Sequence, residues 1–352
     1  MRYFDASNPE YVNARIRARK SALLADEDYR KLVRMGPGGI ARFMEETEYE
    51  TEINALGARY SGTDLIEYAL NRNLSKHFQD LLDWSQGRLR DLIARYLRKY
   101  DAWNLKTIIR GVYSGASAEA IQSDLIRAGE LDEALLDRLS EADSIETVVE
   151  ELEDTMYGEP LEAALEEFKT DNVLVPLENA IDREFYTHLL DNLSTDRRRD
   201  GPTTQYVEFL QAEIDFRNAQ NALRLGRSGA DLDPTEYFIE GGKLFEQSEL
   251  RTLVSDTDQL IDHIRNSEYG DDLSRALDEL ADADSLIQFE HALDAALLEY
   301  TDQLSTIYPV SITAVMSYIL AKEREVEDIR AIARGREVGL DEAEIENELV
   351  IL

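Results

Sequence analysis

The stretch D-A-W-N-L-K-T-I-I-R, from Asp101 to Arg110, decides the fold of this chain. It places an acid first, Asn or Asp three residues later, a base or Gln five residues later, and Arg nine residues later. The same decapeptide pattern occurs three more times, as Glu10, Asn13, Arg15 and Arg19; as Asp215, Asn218, Gln220 and Arg224; and as Glu325, Asp328, Arg330 and Arg334. A pattern that recurs through one chain indicates a repeated structural unit.

Two further signatures recur in a fixed order with the decapeptide. The first is Thr or Ser two residues before a tyrosine, at Tyr49, Tyr157 and Tyr269. The second is Glu-x-Ala-[Leu/Ile]-[Asn/Asp], which begins at Glu67, Glu178 and Glu290. The glutamates of this second signature are evenly spaced, and the last two tyrosines are separated by the same interval. The sequence therefore contains a threefold internal repeat, with a period of nearly one third of the chain.

Helical periodicity dominates the repeat. Apolar residues recur three and four positions apart through long charged segments, which predicts an all-α chain. The helix before each later decapeptide runs straight into it, so 89–110, 205–225 and 312–334 are each predicted to be one helix. We therefore predict three similar helical bundles joined by shared long helices. Their predicted bounds are 1–100 for a shortened first repeat, 101–214 for the second and 215–324 for the third, with 325–352 as a C-terminal helix and acidic tail that packs back on the repeats.

The composition excludes several classes of function. The chain has 73 acids and 38 bases, giving a formal net charge of -35, so it has no surplus of cations with which to bind nucleic acid. The same charge repels anionic lipid headgroups. There is no cysteine, which excludes disulfides and thiolate metal sites.

The charged residues also predict a dependence on salt. Of the bases, 30 are Arg and 8 are Lys, and surplus carboxylates with few lysines are typical of proteins from salt-loving organisms. Repulsion between the carboxylates is tolerable when it is strongly screened, as it is at 1 M salt, where the Debye length is about 3 Å. We expect the protein to lose stability in dilute buffer. Unfolding curves that coincide in dilute buffer and in molar KCl would contradict this.

Neither a targeting peptide nor a membrane span is predicted. The N-terminal residues M-R-Y-F-D-A-S-N-P lack the apolar core of a leader. The longest uncharged stretch, 303–321, contains Pro309, and its apolar part is shorter than the roughly 20 residues that a span requires. We interpret this stretch as a buried core helix.

Helical geometry separates the decapeptide positions. At 100° per residue, Leu105, Ile108 and Ile109 form an apolar stripe, and the acid and the Asn flank or enter it. The base and the final Arg lie on the opposite, outward side. The buried polar pair is predicted to satisfy backbone or arginine groups where helices of neighbouring bundles pack. The outward cations either face solvent or contact a partner, and the candidates for a partner interface are Arg15, Arg19, Lys106, Arg110, Arg224, Arg330 and Arg334.

The sequence contains none of the common catalytic motifs. There is no phosphate-binding G-x-x-x-x-G-K-[S/T] loop and no H-E-x-x-H, and no two histidines have a metal-ligand spacing. Asp271 and Asp272 begin like the D-D-x-x-D of all-helical prenyl-transfer enzymes, but Arg275 occupies the position of the third acid. We predict no catalytic residue, no cofactor and no metal site.

The ordered signatures resemble those of a known family. The opening Y-V-N-A-R-I-R-A-R-K-S-A-L-L, the T-E-Y, and the repeated E-x-A-L-N and N-x-K-x-I-x-R units are similar to the C subunit of archaeal A-type ATP synthases. The bacterial V-type C subunit and the eukaryotic d subunit are relatives of that family. The resemblance covers essentially the whole chain and implies three helical bundles in a pseudo-threefold funnel.

The resemblance implies a mechanical function. Members of this family link the membrane rotor ring, made of c/K-type proteolipid subunits, to the central shaft, which is made of the D and F subunits. Rotation driven by ion flow is thereby passed to the catalytic head. The implied location is peripheral, on the cytoplasmic face of the cell membrane, with the membrane contacted only through the ring. The alternatives are an all-helical prenyl-transfer enzyme with a central cavity, or a generic helical scaffold protein.

Overall fold

The computed structural model describes residues 7–190, 193, 202–228, 233–271, 274, 277–278, 287–346 and 349. Within these residues every regular element is a helix and there is no strand, which confirms the all-α prediction. The chain divides into two compact units, which are described one at a time. The first contains Met1–Val12 and Met44–Asp191, and the second contains Asn13–Phe43 and Asn192–Leu352.

The helices are numbered in chain order over the described residues. The first half contains α1 Pro9–Lys20, α2 Asp26–Leu32, α3 Pro37–Met44, α4 Glu50–Leu56, α5 Gly62–Trp84, α6 Gly87–Leu97, α7 Lys99–Ser114, α8 Ala118–Asp124, α9 Glu133–Ser140 and α10 Ile145–Glu151. The second half contains α11 Gly158–Asp171, α12 Val175–Leu190, α13 Pro202–Ser228, a 3₁₀ turn Pro234–Tyr237, α14 Gln247–Ser255, α15 Thr257–Arg265, α16 Ile287–Ile307, α17 Ile312–Val338 and α18 Glu342–Glu346.

In the first compact unit, the decapeptide helix α7 lies at the centre. It packs against α6, α8, α9, α10 and α12. The predicted apolar stripe of Leu105, Ile108 and Ile109 is fully buried in this packing. Burial of large aliphatic side chains stabilises a fold by roughly 1.5–3 kcal/mol each, so the stripe fixes which face of α7 is internal.

In the second compact unit, the long helices α13 and α17 have the same central role. Helix α13 packs against α14, α15, α16 and α17, and α17 also contacts α2, α16 and α18. The end of α1 is held by polar contacts along the α16–α17 hairpin. Lys20 Nζ bonds to Asp302 at 2.5 Å and to Ser317 at 2.8 Å, and Arg17 donates to the Pro309 carbonyl at 3.3 Å.

The helix boundaries confirm two of the three predicted continuous helices. The predictions for 205–225 and 312–334 are confirmed by α13 and α17. The prediction for 89–110 is wrong, because the helix is interrupted at Arg98, between α6 and α7. The Asp101 N–H bonds to the Arg98 carbonyl, three residues back, at 2.9 Å, which tightens the backbone there.

The prediction of one buried helix over 303–321 is also wrong. Helix α16 ends at Ile307, and α17 begins at Ile312 with the Ser311 side chain as its N-cap. Pro309 lies in the intervening turn, because proline lacks an N–H and disfavours helical backbone at the residue before it. Ile307 and Val310 are exposed at this turn. Among the described residues, no helix combines the length and apolarity needed to cross a bilayer.

Candidate functional site

The acid of the second decapeptide holds a loop of its own repeat in place. Asp101 is 3% exposed and lies on the buried side of α7. Its carboxylate accepts hydrogen bonds from the backbone N–H groups of Glu130 at 2.9 Å and Leu131 at 3.0 Å. These two N–H groups lie in the loop before α9. We call this arrangement the carboxylate latch.

The Asn of the same decapeptide holds the loop at a second point. The Asn104 Oδ1 accepts from the Ile126 N–H at 2.9 Å, and its Nδ2 donates to the Ile126 carbonyl at 2.8 Å. An amide side chain offers an acceptor and donors side by side, so it can pair with both backbone groups of one residue. Asn104 is completely buried, and this pairing satisfies polar groups that would otherwise be costly to bury.

The third decapeptide repeats both contacts. Asp215 accepts from the N–H groups of Lys243 and Leu244, each at 2.8 Å, and is completely buried. Asn218 accepts from the Ile239 N–H at 3.0 Å and donates to its carbonyl at 2.8 Å. The prediction that the acid and the Asn satisfy buried backbone groups is confirmed for both copies. The predicted place is wrong, because these groups belong to a loop of the same repeat and not to a neighbouring bundle.

A glycine beside each carboxylate makes the latch possible. A Cβ placed on Gly129 would lie 1.9 Å from Asp101 Oδ1, and one placed on Gly242 would lie 2.1 Å from Asp215 Oδ1. Such a distance is far below van der Waals contact, so the loop can approach the acid only where it has no side chain. The sequence contains a signal for this pairing, since each glycine follows its acid at nearly the same interval in the two repeats.

The acid of the last decapeptide latches the N-terminal segment. Glu325 is 2% exposed, and it accepts from the Leu24 N–H at 2.6 Å and from Lys322 Nζ at 2.7 Å. In sequence, Leu24 precedes Tyr49 by nearly the same interval that separates the latched Leu131 and Leu244 from the tyrosines of their own repeats. Leu24 therefore corresponds to the latched leucines of the later repeats, and the end of the chain supplies the acid for its beginning.

The first decapeptide differs from the other three. Glu10 is exposed, so the prediction of a buried acid is wrong for this copy. Asn13 is buried and donates to the Ser311 carbonyl at 3.4 Å, which is a carbonyl of the α16–α17 turn and not of a loop that follows in its own repeat. The first decapeptide therefore has the sequence pattern of the others, but the acid that binds the Leu24 N–H is Glu325 of the last decapeptide.

A tyrosine accompanies each of the two internal latches. The Tyr269 hydroxyl donates to Asp215 Oδ2 at 3.1 Å. Tyr157 is 1% exposed, and burial, followed by the negative charge of Asp101, raises its pKa. These are the tyrosines of the Thr/Ser-x-Tyr signature, so that signature marks the chain segment that covers the latch.

The electrostatics of Asp101 predict a pH dependence. Burial raises the pKa of Asp101 from 3.8 to about 6, against the opposing effect of the N–H groups of Leu131 and Glu130. The folded state binds the Asp101 proton more tightly than the unfolded state, so protonation of this side chain raises the free energy of unfolding. This contribution is fully present below about pH 4 and is lost as pH rises through 6. The difference between the two pKa values corresponds to roughly 3 kcal/mol.

The measurement is the free energy of unfolding of the wild type and of Asp101→Asn in molar KCl. Between about pH 4 and about pH 7, the wild type should lose most of these roughly 3 kcal/mol relative to the variant. The other titrating groups are common to both proteins, so their effects cancel in the difference. A difference that stays constant over this range would contradict the raised pKa.

Two of the predicted interface cations pair within their own repeat. Lys106 Nζ lies 2.6 Å from Asp182, and Arg110 bonds to both carboxylate oxygens of Glu178, at 2.6 and 2.8 Å. Glu178 and Asp182 are the first and last residues of the Glu-x-Ala-[Leu/Ile]-[Asn/Asp] signature, so these pairs join α7 to α12. The Lys106 side chain is only 21% exposed, which is less than its outward position predicts, whereas Arg110 is 56% exposed.

The other interface candidates lie at or near the surface. Arg15, Arg224 and Arg334 are exposed, and Arg19 and Arg330 are partly exposed. Their contact with a partner remains a prediction. Within the described part of the chain, no group of three acids or histidines is placed to hold a metal ion. Asp272 and Arg275, on which the comparison with prenyl-transfer enzymes depended, lie outside the described residues.

Comparison with known proteins identifies the family. A model of the ATP synthase (C/AC39) subunit family matches residues 12–348. The chain belongs to this family. It is 65% identical to the C subunit of the A-type ATP synthase of Haloferax volcanii and 64% identical to that of Halorubrum lacusprofundi, over 98% of each chain. It is 37% identical to the corresponding C subunit of Methanococcoides burtonii, over 98% of this chain and 95% of the relative.

Family membership confirms the resemblance found in the sequence. The chain is a non-catalytic subunit of an A-type ATP synthase, the complex that couples ATP synthesis to ion transport. The alternative of a prenyl-transfer enzyme is therefore set aside. The relatives with 56–65% identity are from halophilic archaea, which agrees with the acid-rich, lysine-poor composition of this chain.

Proposed function

We propose that this chain is the central-stalk adaptor of its synthase. It links the membrane rotor ring to the central shaft of the D and F subunits and transmits torque between them. The observation that carries the proposal is the family match over residues 12–348. Through the ring, the chain is held at the cytoplasmic face of the cell membrane as a peripheral subunit.

The latches support a mechanical role. A part that transmits torque must resist twisting, because any internal rotation stores energy that does not reach the shaft. In the repeats that contain α7 and α13, a buried acid and a buried Asn fix the decapeptide helix to the following loop at two points. Sliding the helix along the loop would leave buried N–H groups without acceptors, at roughly 1–3 kcal/mol each.

We further propose that the three repeats surround a pseudo-threefold axis, with bounds near 1–100, 101–214 and 215–324 and with 325–352 closing the first repeat. The support is the recurrence of one latch with equivalent atoms at Asp101 and Asp215, together with the use of Glu325 to latch Leu24.

The adaptor role is tested in a haloarchaeal host whose own gene for this subunit is deleted and replaced by this chain. We expect the chain to copurify with the synthase, and ATP synthesis driven by an ion gradient to be restored. Without the chain, the shaft should be released from washed membranes while the ring remains. A synthase that stays coupled without this chain would contradict the proposal. Binding of the chain to soluble proteins alone would also contradict it, and would favour the alternative of a generic scaffold protein.

The interface arginines are tested as a set. We expect Arg110→Ala, Arg224→Ala and Arg334→Ala together to weaken binding to the rest of the synthase by about tenfold or more, because arginine is enriched among the residues that dominate interfaces. The measurement is the amount of chain retained on the purified complex in molar KCl.

A matched triple variant provides the control for this prediction. Arg59, Arg138 and Arg251 are exposed arginines outside the decapeptides, and each pairs with an acid of this chain. Replacing these three by alanine removes the same charge and should leave retention unchanged. Equal retention for both triple variants would show that the decapeptide arginines have no special part in binding.

A further inference from the structure

The exposed face of α7 has a composition that sets it apart in so acidic a chain. Its only acid, Asp101, is buried in the latch. The most exposed large side chains on this helix are Trp103, Arg110 and Tyr113, which recur seven and three residues apart and so share one side of the helix. The chain carries 73 acids in 352 residues, yet this side of α7 presents none.

An apolar turn extends this surface beyond the end of α7. Val173 and Val175, at the junction of α11 and α12, are 47% and 41% exposed. The Tyr113 hydroxyl donates to the Asn172 carbonyl at 3.1 Å, which ties the turn to α7. Within the described residues there are eight exposed large hydrophobic side chains, and four of them belong to this surface. We call Trp103, Arg110, Tyr113, Val173 and Val175 the aromatic–arginine face.

Four of the charges beside this face are neutralised in two pairs, while the exposed Asp171 borders the turn. Arg110 is paired with Glu178, and Lys106 with Asp182, so the seam that these pairs form between α7 and α12 is balanced in charge. The Arg110 guanidinium uses its Nε and Nη2 groups in the pair. Because a guanidinium has five N–H donors and this side chain is 56% exposed, donors remain on the outer side.

We propose that the aromatic–arginine face docks an acidic, amphipathic α-helix of another subunit of the synthase. Trp, Tyr and Arg are the side chains that most often dominate protein interfaces. The remaining donors of Arg110 and the indole N–H of Trp103 complement carboxylates, while the rings and valines complement an apolar helix stripe. That the partner belongs to the synthase rests on the proposed function.

Electrostatics explains why an acidic partner would choose this face. Over most of the surface, the net charge of -35 opposes the approach of a second acidic protein. In molar salt the electrostatic repulsion acts over about 3 Å, so its strength depends on the charged groups in direct contact. The charge-balanced seam between α7 and α12, with exposed donors on Arg110, weakens that repulsion and offers hydrogen bonds in its place. An anionic membrane is disfavoured because the surrounding charge repels it.

The first test introduces two carboxylates into the face, as Trp103→Glu together with Val175→Glu. Both positions tolerate an acid, since Trp103 faces outward and Val175 lies in the first turn of α12, where negative charge is favourable. Ile307→Glu with Val310→Glu is the matched control, because these side chains are also exposed and the charge change is the same.

In a haloarchaeal host that lacks its own copy of this subunit, we expect the face variant to be retained on the purified synthase about tenfold less than the wild type in molar KCl. The control variant should be retained like the wild type, and both variants should keep the helical circular dichroism of the wild type. Undiminished retention of the face variant, or an equal loss for the control, would overturn the proposal.

The second test identifies the partner by a photoreactive phenylalanine analogue at position 103. We expect a crosslink to an acidic helical peptide from another synthase subunit. A crosslink to lipid or to a basic segment would overturn the proposal. The two proposals fail separately: if the wild-type chain does not associate with the synthase, the proposed function fails. If both the wild type and the face variant assemble and couple, only the docking face fails.

Discussion

Replacing Gly129 by alanine should lower the free energy of unfolding by about 3 kcal/mol. The new methyl group would lie 1.9 Å from Asp101 Oδ1, so either the loop must move or the latch must open. Opening it leaves the N–H groups of Glu130 and Leu131 without their acceptor. Gly242→Ala should have a similar effect through Asp215, whose Oδ1 would be 2.1 Å from the added carbon.

Guanidinium unfolding in molar KCl, followed by circular dichroism, measures this effect. Gly38→Ala is the control, because nothing lies within 4 Å of its added carbon and the residue is inside α3. Alanine there should raise stability by up to about 1 kcal/mol, through helix propensity alone. If Gly129→Ala and Gly242→Ala behave like Gly38→Ala, the close approach of loop to carboxylate does not exist.

Replacing Glu325 by alanine should cost about 3–5 kcal/mol, the loss typical of removing one partner from a buried ion pair. Lys322 is completely buried, and its ammonium group would lose the carboxylate 2.7 Å away. The Leu24 N–H would lose its acceptor in the same change. Glu325→Gln should lose less, because an amide oxygen still accepts from the Leu24 N–H while the charge is gone.

Glu327→Ala is the matched control on the same helix. Its side chain is 57% exposed and lies 3.4 Å from Arg324, a buried arginine that keeps Asp294 at 2.9 Å as a second partner. Because the acid itself is exposed and the arginine stays paired, we expect its loss to cost about 1 kcal/mol. The same guanidinium titrations measure all three variants. Equal midpoints for Glu325→Ala and Glu327→Ala would mean that the buried acid does not hold the N-terminal segment.

Much of the fold was predictable from the sequence, because the helical period of the decapeptide specifies which of its side chains are buried. The helical period places Leu105, Ile108 and Ile109 on one side with the acid and the Asn beside them, and this side is buried. The spacing of the three signatures predicted the repeat. The family followed from the same signatures, since their order is as informative as their composition.

The contacts of the latch could not be predicted in the same way. Periodicity assigns Asp101 to a face of α7, but it does not say which backbone groups meet that face. The repeat period also does not specify which decapeptide supplies the acid for which loop. Glu325 latches Leu24, far away in sequence, while Glu10 is exposed. The pairing of the outward cations Lys106 and Arg110 with acids of α12 depends on how that helix packs, which no angle along α7 can specify.

The contact between Leu24 and Glu325 has a consequence for how the protein is made. The two residues are 301 positions apart, so the Leu24 N–H leaves the ribosome long before Glu325 is synthesised. During translation the internal repeats can close as soon as their own loops emerge, but the beginning of the chain must wait for the final long helix. Nascent chains that stop short of that helix would carry an open N-terminal segment, which distinguishes them from finished molecules ready for assembly.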